Sequence, residues 1–190
     1  MSESRKAEDL AAAWWQELSF ERNGGRLRRA GGAKLAPLAK LRRAEGPIDA
    51  LAVPEAIDLY RRLREADPNV DADRVAAVAV ALANLRPEQE NLRPDRRVPA
   101  VFARESFDDP DSAGLSEARF RRLLQAEGAE LLDAFRRLVR LLDGRADPRS
   151  LADAILHWGD RMRQRWIFEY YGVAIATPHP DAASVAATAP

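Results

Sequence analysis

Apolar residues recur through most of this chain at steps of three and four. Leu10, Trp14 and Leu18 set that spacing from Glu8 to Glu21, and Trp15 widens the face, so a helix is predicted there. Asn23-Gly24-Gly25 ends it, and Arg26 to Ala30 reads as a short helical turn. A short helix follows from Pro37 to Ala44, with Pro37 in its first turn and Leu38 and Leu41 inward. After the break at Glu45-Gly46-Pro47, Pro54 to Glu65 places Ile57, Tyr60 and Leu63 on one side. Asp73 is the predicted cap of a helix reaching about Leu85, whose many alanines imply close packing against a neighbour. Prolines 87, 94 and 99 mark Asn84 to Pro99 as a loop, Val101 to Arg104 reads as a helical turn, and Glu105 to Gly114 is acidic and expected to be mobile.

The C-terminal half is more regular. Ser116 is the predicted cap of a helix burying Phe120, Leu123 and Leu124. Ala129 to Leu142 follows, with Leu131, Phe135, Leu138, Val139 and Leu142 inside and Asp133, Arg136, Arg137 and Arg140 along its outer face. Asp147-Pro148 opens a last helix running to about Tyr171, striped by Leu151, Ile155, Trp158, Met162, Trp166 and Tyr170. No stretch alternates like a strand between hairpin turns. The expected fold is all-α, about seven helices in a compact bundle-like arrangement with N-terminal and C-terminal groups. Residues 1–172 form the expected folded domain. Residues 173–190, rich in Ala, Pro, Thr and Ser, are expected to be a low-complexity disordered tail.

Charge changes this picture. The chain has 30 basic and 30 acidic residues, yet from Arg22 to Ala44 there are eight basic residues and no acidic one. That concentration points to a polyanionic partner, against the blander reading of a solvated connector. Lysine occurs only at Lys6, Lys34 and Lys40, so the charge is nearly all guanidinium, which matches phosphate oxygens two at a time. Further arginine groups lie at Arg119-Arg121-Arg122, Arg136-Arg137-Arg140 and Arg161 to Arg165. Helices folding back on one another would line a shared groove with them. Without an aromatic RNA-reading motif or zinc finger, backbone contact is favoured over base reading.

Enzyme chemistry finds little support. There is no cysteine, and the two histidines, His157 and His179, have no metal-ligand spacing. The run from Asp109 fails as a calcium loop, because Ala113 and Phe120 stand where oxygen ligands are needed. No phosphate-binding glycine loop occurs. No catalytic residue, metal or cofactor is expected. No apolar run approaches the ~20 residues of a membrane span, and the polar start MSESRKAEDL lacks a signal-peptide core, so a cytoplasmic protein without a membrane partner is expected.

Three segments, in order, resemble the CasB family, the small subunit of the type I-E CRISPR surveillance complex Cascade. They are Trp14, Trp15 and Leu18 with Leu41-Arg42-Arg43-Ala44, Pro54 and Tyr60-Arg61-Arg62-Leu63; Ser116 to Phe120 leading into Phe135-Arg136-Arg137-Leu138; and His157 to Arg165 with the aromatics up to Tyr171. A second Leu-Arg-Arg-Ala copy, Leu27 to Ala30, looks like an insertion. The resemblance implies a non-catalytic helical subunit lying between the Cascade backbone and large subunits, two copies head to tail. It would contact guide RNA and target strand and help to hold the displaced DNA strand. Arg42, Arg43, Arg119, Arg136 and Arg137 are the first candidates for phosphate contacts, followed by Arg161, Arg163, Arg26, Arg28 and Arg29. The competing expectations are a free-standing DNA-binding protein or transcription regulator, and a helical nuclease.

Overall fold

A computed structural model describes residues 6–23, 26–105 and 108–173. The expected tail, apart from Val173, lies outside them. Nine α-helices and one β-hairpin are found among the described residues: α1 (Ala7–Ser19), β1 (Phe20–Asn23), β2 (Arg26–Arg29), α2 (Gly32–Arg43), α3 (Pro47–Leu51), α4 (Pro54–Ala66), α5 (Ala72–Ala83), α6 (Glu117–Leu124), α7 (Glu130–Leu141), α8 (Pro148–Leu156) and α9 (Asp160–Tyr170).

The fold is built around α5. Every residue from Val75 to Ala83 is at most 1% exposed. A helix that is apolar all round belongs inside, and its alanines let neighbours approach closely. Helices α2, α3, α4, α7 and α8 all pack on it, so the N-terminal and C-terminal groups share one core. Asp71, two residues before the expected cap, accepts from the Arg74 backbone N–H. At the N-terminal side, buried Trp14 donates from Nε1 to the Glu55 carbonyl at 2.9 Å and ties α1 to α4. At the other side Phe102, Phe120, Phe135, Trp158, Trp166 and Tyr170 form a linked set of ring contacts, with Phe120 stacked on Tyr170 at 4.0 Å. Among the described residues, no helix is long and apolar enough to cross a membrane.

Further local expectations are corrected. Arg26 to Ala30 is not a helical turn: β2 pairs antiparallel with β1, Asn23 opposite Arg26 and Phe20 opposite Arg29. Phe20 drives this, because it leaves α1 to bury against the edge of Trp15, with centroids 5.6 Å apart. Pro37 is not at a helix start but inside α2, which begins at Gly32 and forgoes one backbone hydrogen bond. In α4 the inward face is Ala56, Leu59 and Leu63, while Ile57 is 43% exposed.

The last helix is two. It breaks at His157-Trp158-Gly159, where Gly159 is extended and precedes α9. The Arg74 guanidinium donates to the carbonyls of Leu156 and Trp158 at 2.6 and 2.7 Å, satisfying two acceptors freed by the break. The Asp147 cap forms as expected, accepting from Arg149 and Ser150 N–H groups. Ser116 occupies the cap position of α6 without a side-chain bond. The 84–99 loop is stitched to the end of α7: Arg86 N–H and Asn91 Nδ2 both donate to the Gly144 carbonyl, at 3.0 and 2.9 Å.

Candidate nucleic-acid interface

Helices α6 and α7 bury one face each and turn the other toward a shared groove. In α6, Phe120 and Leu123 point inward, leaving Arg119 and Arg122 exposed three residues apart. In α7, Leu131, Phe135, Leu138 and Val139 are buried, leaving Arg137 and Arg140 exposed three residues apart. These four arginines line a cavity of about 620 Å³ between the helices. Leu115, Leu123, Leu138 and Leu141 supply its apolar lining, and Glu130 and Asp133 its two carboxylates. Asp133 is already engaged by Arg136 at 3.1 Å. Among the described residues, Arg119, Arg122 and Arg137 have no ion-pair partner. Four guanidiniums against two carboxylates leave the groove cationic.

The charge continues beyond the groove. Arg140 Nε lies 3.4 Å from Asn84 Oδ1, just past the end of α5. One residue earlier, the Ala83 carbonyl accepts from Arg42 Nε at the end of α2. A cation there complements the C-terminal end of the α5 dipole. Burial, and then the like charge of Arg29, hold the Arg42 guanidinium's pKa below its ordinary value. Arg29 stands opposite Phe20 in the hairpin, on the same face. Lys34 Nζ donates to the Phe20 carbonyl at 2.8 Å and Gln89 Nε2 to the Leu27 carbonyl at 2.9 Å, which holds the hairpin on the body. Arginines from α2, α7 and α6 thus form one series running past the end of α5, although they are far apart in sequence. Arg43 is exposed beside Arg42, its Nε donating to the Ala39 carbonyl at 3.1 Å. Arg26 and Arg28 are exposed on the opposite hairpin face, Arg28 across from Glu21.

Nor do three candidates from the C-terminal half join this series as free cations. Arg136 is 13% exposed, pairs with Asp133 and donates to the Ala44 carbonyl, so it clasps α7 to the end of α2. Arg163 is 20% exposed, pairs with Glu127 at 2.9 Å and Asp160 at 3.5 Å, and lies over Trp158. The cleft around it holds Asp71, Asp73, Glu127 and Asp160 against Arg74 and Arg163, an acidic balance that disfavours phosphate. Arg161 is exposed on α9 and lines neither the groove nor this cleft. Conversely, Arg122 and Arg140 line the groove and were in neither tier of candidates. The spacing with Arg119 and Arg137 on the outer faces carried that signal. Arg121 points elsewhere and pairs with Glu117 at 2.6 Å.

Fold and groove together define a small helical protein with an arginine-lined surface cleft. The family model described as CRISPR-associated protein Cse2 matches residues 37–171, well over half of the chain. The chain belongs to this family, the CasB family of the type I-E CRISPR Cascade. No curated protein and no solved structure matches it. Helix α1 and the hairpin precede the matched residues.

Proposed function

We propose that the chain is a non-catalytic Cascade subunit that grips sugar-phosphate backbones and stabilises the R-loop. The observation that supports this reading best is the α6–α7 groove, whose four arginines have no ion-pair partner among the described residues. A folded protein gains nothing from gathering unpaired cations, since like charges repel, so an external polyanion is the natural complement. Replacing a DNA duplex by an RNA–DNA hybrid is nearly balanced in energy, so modest backbone contacts can tip it. Each guanidinium–phosphate contact releases counterions and adds affinity that does not depend on sequence. Guide pairing then supplies the sequence reading, and the subunit supplies the grip on guide RNA, target strand and displaced strand. A second copy, head to tail, would extend the cationic surface between the backbone and large subunits.

The test is the lifetime of the R-loop in assembled Cascade. It is measured with the wild-type chain, without the chain, and with Arg119 and Arg137 both replaced by Ala. The double variant should shorten the lifetime toward that of the complex lacking the subunit. A lifetime equal to wild type would overturn the proposal.

A further inference from the structure

We infer that the α6–α7 groove takes an unpaired DNA strand with a base turned onto its leucine floor. This rests on the reading of the groove as a nucleic-acid site. A backbone track needs only charge at a surface. This site is instead a cleft of about 620 Å³ with an apolar floor, a size typical of clefts that enclose a small ligand, which run from about 300 to 1,000 Å³. Leu115, Leu123 and Leu138 are at most 5% exposed, so the apolar surface open to water at the groove is that of Leu141, which is 48% exposed. A phosphate cannot cover it, whereas the flat face of a base can. The guanidiniums of Arg119, Arg122 and Arg137 are free to hold the phosphates flanking it.

The second observation is Glu130. It lines the same groove, is exposed, and has no side-chain partner among the described residues. A free carboxylate repels phosphate, but it accepts hydrogen bonds from the exocyclic amine of a base. Leucine floor, guanidinium walls and carboxylate together match a nucleotide with an accessible base. A duplex keeps its bases stacked and cannot reach the floor. In the proposed R-loop the displaced DNA strand has no pairing partner, so its bases are free along its length.

The test uses the full chain and two single-stranded oligodeoxynucleotides of equal length and charge, one ordinary and one with abasic sites, each titrated by fluorescence anisotropy. The base-bearing strand should bind about tenfold tighter, the lower range of what a stacked base contributes. Leu141→Ser, at an exposed position, should reduce that preference to about threefold. Replacing Arg119 and Arg137 with Ala should weaken both strands alike. Equal affinity for the two strands, still dependent on these arginines, would overturn the base-lodging inference and leave the backbone reading standing. Binding that ignores the arginines, or no binding, would overturn both.

Discussion

Arg136 and Arg137 are neighbours on α7 with opposite expected roles, and their alanine variants separate the two. Arg136 makes a charged hydrogen bond to the carbonyl of Ala44, a residue 2% exposed. Such bonds contribute about 1.5–3 kcal/mol. The pair with half-exposed Asp133 adds about 0.2–0.5 kcal/mol. Against this, Arg136 Nε is buried without a partner, so its removal recovers part of the loss. Arg136→Ala should therefore destabilise the fold by about 2 kcal/mol, a midpoint shift of about 1 M urea at a slope near 2 kcal/mol per M. Arg137 is exposed with no ion-pair partner, so Arg137→Ala should stay within about 0.5 kcal/mol of wild type. In assembled Cascade the order reverses. Arg137→Ala should lower the slope of log affinity against log salt by about 0.7–0.9, and Arg136→Ala should leave it unchanged. An Arg136→Ala protein as stable as wild type, with a reduced salt slope, would refute the division between clasp and contact.

Other positions give sharper stability tests, each readable by urea or thermal unfolding. Asp147→Ala removes the acceptor for two N–H groups at the start of α8 and should cost about 1–2 kcal/mol. Tyr170→Phe removes the 2.7 Å bond to the Leu115 carbonyl behind the groove and should cost about 1–2 kcal/mol. Gly144 has φ +70°, and a Cβ there would lie 2.9 Å from the Arg86 backbone nitrogen, so Gly144→Ala should cost about 2–4 kcal/mol.

The outer face of α7 was legible because Asp133, Arg136, Arg137 and Arg140 follow a helical period that needs no tertiary knowledge. What separates Arg136 from Arg137 was not legible, since the Ala44 carbonyl that fixes Arg136 lies 92 residues away in sequence. The stripe from Leu151 to Tyr170 was read correctly as an inward set, with its main residues buried in the structure. Its break was hidden because Trp158 stays buried across it, and because Arg74, from α5, satisfies the freed carbonyls. The hairpin escaped notice for a different reason. Its strands are four residues long and mostly polar, and all of β2 is exposed, so no alternation marks them. Gly24-Gly25 between the paired runs was the available signal. The four groove arginines could be nominated from sequence by charge, but only packing α6 beside α7 selects Arg119 and Arg122 over Arg121.

The most direct measurement is the salt dependence of target-DNA affinity for Cascade carrying Arg119, Arg122 and Arg137 all changed to Ala. The control is Arg61→Ala, an exposed cation on α4 outside the groove. The triple variant should lower the log–log slope by about two to three units, with the control within about one unit of wild type. A triple variant with the wild-type slope would contradict the claim that the groove holds phosphate.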